Sequence, residues 1–433
     1  MSVFLLSIAR VAAVAAVASA FGWAASRAAC PPGREFRAER AAWAWAIAAA
    51  LISGLVPASF LAGIEPGWPG LFALGVLAVA VGWWFRVPEP SRPSSTAGAG
   101  GTGLAVACGA VVALGIALYL VRALTEPMWS NDYVAIWGLK GKTIHAAGAL
   151  PRHLFTDPAM AYSHPEYPLG LPFFYAGVAF LTGRWDDHAM ALVFPIFQVA
   201  TLLGLFGWLR RRGASRAVAG LAAATLACFE PLYSAFLTGM AEVPLSLGLL
   251  LFGSSLSDAI EEDPGALRRL AFASGLITAT KNEGLFFAAA GCLLALAFGG
   301  ARRWRCALAA LPTALVVQAA HVLWRGRVPL RDFDFSSFSV GRLGEALAAA
   351  ARLPGAVGWT QLALIGVLVA AGARAPESRW MLGLCACGMA AYLLLPVFAI
   401  RGPEWLVRAA LPRTTAGLAP LAAAAVGARY ARR

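Results

Sequence analysis

A chain of 433 residues would ordinarily fold as two or three soluble domains, but 60% of this one is apolar and only 13% charged, about half the charge of an ordinary soluble domain. No soluble core absorbs that excess, whereas runs of about 20 apolar residues, the length that crosses a bilayer core, do. The net charge of +13, from 35 basic and 22 acidic residues, lies between the apolar runs, which excludes nucleic acid as a partner and matches the way Lys and Arg set membrane topology.

Apolar windows predict spans near 3–26, 41–64, 68–87, 103–124, 188–209, 215–233, 240–258, 269–282, 284–299, 305–324, 355–373, 379–400 and 405–428. The expected fold class is therefore an all-α polytopic integral membrane protein of about 13 transmembrane helices, with an outer-face loop carrying interfacial helices. A signal peptide is the competing reading of residues 1–26, but Arg10 lies inside the apolar run instead of ahead of it. The division expected is a three-helix membrane extension (1–87), a cytoplasmic Pro/Ser/Gly-rich linker (88–102) and a transmembrane body (103–433) with an external loop at 125–187.

With the N-terminus outside and the C-terminus cytoplasmic, the inner segments hold 20 of the 35 basic residues, among them Arg27, Arg40, Arg86, the Arg210–Arg212 run, Arg268, Arg269, Arg302, Arg303, Arg305 and Arg429. Arg34, Arg92 and Arg374 belong to the same set. That count requires 168–183, short and interrupted by Pro168 and Pro172, to lie in or dip into the outer interface without crossing.

The loop 125–187 collects unusual polar residues. Tyr133, Trp137, Lys140, Ile144 and Ala147 recur at helical spacing, which sets Lys140 on an aromatic and apolar face with Asp132 just ahead of the helix. Asp132, or Asn131, then reads either as an N-cap or as a functional carboxylate. His145, His153, His164 and His188 lie near Asp132, Asp157 and Glu166. A divalent metal is possible there, although no H-x-x-x-H or E-x-x-H pair defines one. Seven cysteines show no paired metal spacing and read as packing residues.

Further along, Glu242 falls at the outer end of a span. Lys281 and Glu283 flank Asn282 where the short 269–282 run reads as half of a broken pair. These charges are functional candidates by depth, or else a packing ion pair of Lys281 with Glu283 or Glu242. The only lysines in the chain are Lys140, Lys142 and Lys281, which marks places where a compact ammonium is wanted. Arg331, Asp332 and Asp334 add charge in the loop 325–352, and Arg413 near the start of the last span reads as a headgroup anchor or as a bidentate phosphate clamp.

Taken together, Asp132 ahead of Ile136-Trp137-Gly138-Leu139-Lys140, then His164-Pro165-Glu166-Tyr167-Pro168-Leu169, Thr238-Gly239-Met240-Ala241-Glu242-Val243-Pro244-Leu245 and Thr280-Lys281-Asn282-Glu283-Gly284 resemble the bacterial branch of the membrane-embedded GT-C glycosyltransferases. That superfamily includes the protein O-mannosyltransferases and the aminoarabinose transferase of lipid A. The resemblance covers roughly residues 103–430. It implies an inverting glycosyltransferase of the bacterial inner membrane that takes its sugar from a polyprenyl-phosphate carrier and passes it to a glycan, lipid or protein acceptor at the periplasmic face. By resemblance Asp132 is the general base, Glu242, Glu166, His164 and Glu283 support it, and Lys281, Arg413 and Lys140 bind the lipid phosphate. Leu406, Ala410 and Pro412 depart from the polar residues expected there, which bears on the acceptor. The competing classes are a transporter or lipid-linked glycan flippase, with the same acids carrying protons, and a catalytically silent GT-C-like subunit.

Overall fold

The computed structural model describes residues 2–31, 36–87, 102–326, 336, 339–352 and 379–430, and among them every regular element is helical. Seven helices are long and apolar enough to cross a membrane: α1 (Ser2–Ala25), α2 (Arg37–Leu61), α4 (Thr102–Thr125), α7 (Val193–Arg211), α9 (Glu242–Ile260), α12 (Arg303–Arg325) and α14 (Arg379–Leu394), the last counted with the 3-10 turn that carries it on to Phe398. Between them lie shorter helices: α3 (Trp68–Trp84), α5 (Gly138–Ala147), α6 (Gly170–Thr182), α8 (Arg216–Ala227), α10 (Ala266–Thr280), α11 (Glu283–Phe298), α13 (Val340–Ala351), α15 (Pro403–Ala416) and α16 (Ala419–Arg429). The chain is thus a helical membrane protein. The expected span near 355–373, the linker residues 88–101 and the charges Arg331, Asp332 and Asp334 lie outside the described residues.

Several expected spans come out short. Helices of 12 to 16 residues, such as α8 and α11, reach about 18–24 Å at 1.5 Å per residue, less than the ~30 Å of a hydrocarbon core. The 405–428 run is two helices, because α15 carries Pro412 inside it and ends at Ala416, and α16 starts afresh with Pro420 in its first turn. The expected broken pair at 281–284 is an antiparallel hairpin. Lys281 is extended (φ −156°, ψ 153°) between α10 and α11, and a Cβ at Gly284 would collide with the Ile277 carbonyl, so only glycine lets the two helices meet at so tight a corner.

One further expectation changes. Helix α6 does not lie against lipid. It is buried along nearly its whole length, with Ser53 of α2 donating to the Gly170 carbonyl at 2.7 Å, Gly177 against the Ile52 backbone and Phe174 edge-on to Trp45 and Phe197. Its thirteen residues therefore form a wedge inside the bundle, where a non-spanning segment at membrane depth is tolerated. The first three helices also pack onto the rest of the bundle. Trp43 and Trp45 of α2 are buried, and Gly204 and Gly207 of α7 let that helix close onto Ala42 and Glu39.

One end of the bundle is tied by an ion-pair network. Asp258, near the end of α9, accepts from Arg211 (2.5 Å), Arg212 (2.7 Å) and Arg269 (3.0 Å), and the Trp208 indole donates to it at 3.2 Å. Arg211 also reaches Glu39 (2.8 Å) and Asp263 (2.6 Å), and Arg269 reaches Asp263 (2.7 Å) and the Ala29 carbonyl (2.6 Å). Helices α2, α7, α9 and α10 thus share one buried carboxylate at the arginine-rich end. Removing it takes the shared partner from three guanidinium groups, although Glu39, Asp263 and Glu261 still hold Arg211, Arg269 and Arg212, so Asp258→Ala is expected to cost about 3 kcal/mol, the lower end for breaking a buried pair. Glu261→Ala, whose partner Arg212 it meets at a more exposed carboxylate, should cost under about 1 kcal/mol. Denaturation of the detergent-solubilised variants measures both.

Candidate functional site

The opposite end of α9 begins at Glu242, and the approach to it is fixed by a turn at Gly239 (φ +93°), whose carbonyl accepts from the Tyr175 hydroxyl at 2.7 Å. A carboxylate in the first turn of a helix is favoured by the helix dipole. Glu242 is buried, and Lys281 meets it from the hairpin corner at 3.1 Å while also reaching Glu283 at 2.8 Å. Arg413, on α15, places its Nε 3.7 Å from Glu242 and pairs through Nη1 with Asp132. The result is an alternating row, Glu283, Lys281, Glu242, Arg413, Asp132, drawn from four separated segments. Both ion pairs foreseen for Lys281 are present, and they belong to this row.

Asp132 is not a cap. Its carboxylate makes no capping bond, and the helix start is capped by Ser130, whose Oγ accepts from the Tyr133 N–H at 3.3 Å. That leaves Asp132 free to face Arg413. The next five residues, Tyr133–Trp137, form a π-helical turn before α5, a local widening found often at functional sites. Gly138 and Gly239 leave room for the Tyr133 ring, and its hydroxyl donates to Asp187, which the Trp185 indole also engages at 2.8 Å. Tyr133 is thereby clamped, and so is the backbone that carries Asp132.

Tyr167 is the residue whose role sequence reasoning missed. Its ring stacks between Trp137 (5.3 Å, 26°) and His164 (4.8 Å, 25°). It is half-buried, and the charges of Glu283, Asp132 and Arg413 act on its phenol. Burial first, then the neighbouring carboxylates, raises its pKa well above the ordinary tyrosine value, so it remains a hydrogen-bond donor at any physiological pH. The residue stands inside the quoted His164–Leu169 motif, but stacking between partners 30 and 3 positions away leaves no trace in spacing.

Behind Tyr167 lies a second cluster. Lys140, expected to bind phosphate, is instead fully buried, donates to the His164 carbonyl at 2.5 Å and faces Glu166 and Arg325. Burial, helped by Arg325 and opposed by Glu166, lowers its pKa to about 7. His164 sits in the left-handed region (φ 49°) and its Nδ1 meets Glu166 at 2.9 Å. Burial pushes the Glu166 carboxyl up, but the His164 hydrogen bond, with its own backbone, His164 and Lys140 adding to it, holds it below the ordinary value. Asn282 joins the clusters by donating to the Glu166 carbonyl at 3.4 Å. The structure therefore brings together Asp132, Glu242, Lys281, Glu283 and Arg413, and sets Lys140, His164 and Glu166 one layer deeper. Among the described residues no three His, Cys, Asp or Glu side chains group closely enough to hold a metal ion.

No family model, curated protein or solved structure matches the chain. Fold and site together define a membrane-embedded helical protein with a charged cluster at one end of its bundle.

Lys140 carries a pH signature with a definite sign. Between about pH 7 and its unfolded value near 10.4 the unfolded chain holds a proton on Lys140 that the folded protein lacks, so the burial penalty fades and stability rises with pH across that window. Replacing Lys140 with Met should remove that rise, which thermal unfolding from pH 6 to pH 10, compared with the parent, would reveal; parallel curves would contradict the assignment.

Proposed function

We propose that this chain is an inverting glycosyltransferase that moves a sugar from a polyprenyl-phosphate donor to an acceptor hydroxyl at the outer face of a bacterial inner membrane, with its N-terminus outside and its C-terminus cytoplasmic. The observation that carries the reading is the convergence of Asp132, Glu242, Lys281, Glu283 and Arg413 in one row, at the end of α9 opposite the arginine-rich network around Asp258. Sixteen residues of α9 separate Glu242 from Asp258, about 24 Å of helix. That is about 6 Å less than the ~30 Å hydrocarbon core, a gap the long side chains at both ends bridge, so the two clusters suit opposite headgroup layers.

In the reaction, the acceptor oxygen forms a bond to C1 of the sugar as its proton passes to the Asp132 carboxylate. The C1–O bond to the carrier breaks with its electron pair going to the phosphate, and attack opposite the leaving group inverts the anomeric carbon. The growing negative charge on phosphate is offset by Arg413 and Lys281. At rest the Asp132 carboxylate is paired with Arg413. A donor phosphate that draws Arg413 toward itself frees that carboxylate to meet the acceptor hydroxyl. Tyr167, stacked and protonated beside the row, suits a hydrogen bond to the leaving phosphate or to the acceptor.

Three variants test this in vesicles supplied with labelled polyprenyl-phosphate sugar and mixed envelope acceptors. Asp132→Asn should lower product or carrier release by about 10²–10⁴-fold, the usual worth of a general base, at normal protein levels; full activity would end the proposal. Arg413→Ala should raise the donor concentration needed for half-maximal rate. Tyr167→Phe, which keeps the stack, should lower kcat roughly tenfold, the scale of one hydrogen bond near 1.4 kcal/mol, with KM unchanged.

A further inference from the structure

A cavity of about 270 Å³ opens at the arginine-rich end, between the turn that follows α9 and the starts of α10 and α12, lined by Glu262, Asp263, Gly265, Arg268, Arg302 and Arg305. The turn is closely defined: Glu262 (φ 71°) and Gly265 (φ 78°) both adopt left-handed backbone, which a glutamate holds only where its surroundings enforce it. Asp263 is committed to Arg211 and Arg269, so it does not neutralise the cavity. Glu262 pairs with Arg302. Neither Arg268 nor Arg305 has a carboxylate partner among the described residues, and Arg268 instead rests over the Phe85 ring at 5.8 Å. Three guanidinium groups thus line one cavity, and only Arg302 has a carboxylate partner there, the largely exposed Glu262.

The surroundings indicate what fills it. Trp304, between the lining residues Arg302 and Arg305, and Trp84, next to the Phe85 ring under Arg268, are exposed, in the manner of aromatic side chains at a membrane–water interface. Guanidinium groups grip phosphate oxygens in bidentate fashion, and the α10 start adds a helix N-terminus with no acidic residue in its first turn. We infer that this pocket binds the phosphate of an anionic glycerophospholipid, at a site separate from the Asp132 row and independent of the glycosyl-transfer reading. Phosphatidylglycerol fits better than phosphatidylcholine because the latter brings a quaternary ammonium toward the arginines.

The test uses the full chain, delipidated in mild detergent and titrated in separate arms with phosphatidylglycerol, phosphatidylcholine and inorganic phosphate, with retained ligand read by native mass spectrometry. Phosphatidylglycerol should be retained saturably, at one per chain, and in preference to phosphatidylcholine. The double variant Arg268→Gln/Arg305→Gln, exposed and therefore tolerant of change, should weaken it roughly thirtyfold, given about 1 kcal/mol for each basic residue near an anionic lipid surface and about 1.4 kcal/mol per tenfold. Arg303→Gln, outside the cavity lining, should leave it unchanged, and Glu262→Gln should tighten it. Equal retention of both lipids, or an unaltered affinity in the double variant, would overturn the site. Displacement of the lipid by millimolar inorganic phosphate, with the same dependence on Arg268 and Arg305, would make the pocket a soluble-anion site and overturn the lipid assignment.

Discussion

An ammonium group buried between two carboxylates organises the polar end of this protein. Lys281 can occupy the hairpin corner only because Glu242 and Glu283 supply its counter-charges, and a buried lysine without them would discard its proton or pull the corner into solvent. The Glu242 oxygen that Lys281 holds is also the one nearest the Arg413 Nε, at 3.7 Å, and its other oxygen has no hydrogen-bond partner among the described residues. Arg413 in turn holds Asp132. Each charge in the row is satisfied by a neighbour on a different helix, so the helices α9, α10, α11 and α15 and the Asp132 loop are positioned by one continuous electrostatic chain. Lysine suits this centre because its compact ammonium fits between two acids at about 3 Å, where a planar guanidinium would have to spread over both.

The two polar ends differ in kind. Around Asp258 one acid is surrounded by three arginines, with its valences filled; such a node fixes helices and has nothing left to offer. Around Glu242 the charges alternate, Asp132 and Arg413 are partly open, and a half-buried phenol faces the row. A tied end and a more open end thus stand on the same helix α9.

Much of this was legible in the chain itself, and what was not has a common cause. Apolar runs and the Lys/Arg distribution located the long helices because burial in lipid acts on every residue of a span, so the signal accumulates locally. Glu242, Lys281 and Glu283 were identifiable as charges at unusual depth, since each is costly where it stands, Asp132 as a carboxylate just ahead of a helix, and Arg413 as a guanidinium near the start of the last span. Lys140 was identifiable too, but its partners were not, because helical spacing shows the face a residue occupies and not what the opposite wall presents; that wall is the His164 carbonyl and Glu166. Helix α6 misled for a related reason. A short apolar segment with prolines has the same sequence whether lipid or protein covers it, and only Trp45, Ile52 and Ser53 of a distant helix decide the matter. The Tyr167 stack and the Ser130 cap depend on geometry of a few ångströms that no periodicity encodes.

The π-helical turn at Tyr133–Trp137 makes this segment sensitive to length more than to composition. A widened turn holds one residue more than an α-turn over the same rise, so Asp132 and the buried face of α5 are one position out of step with each other. Loss of any single residue there would let the turn relax to ordinary α geometry and swing Asp132 by about 100° relative to Lys140 and Ile144, away from Arg413, while every side-chain identity on both sides stayed the same. Relatives that keep the chemistry would therefore be expected to vary in residue type through this stretch far more readily than in residue number, and a gap placed there in an alignment would separate working copies from silent ones.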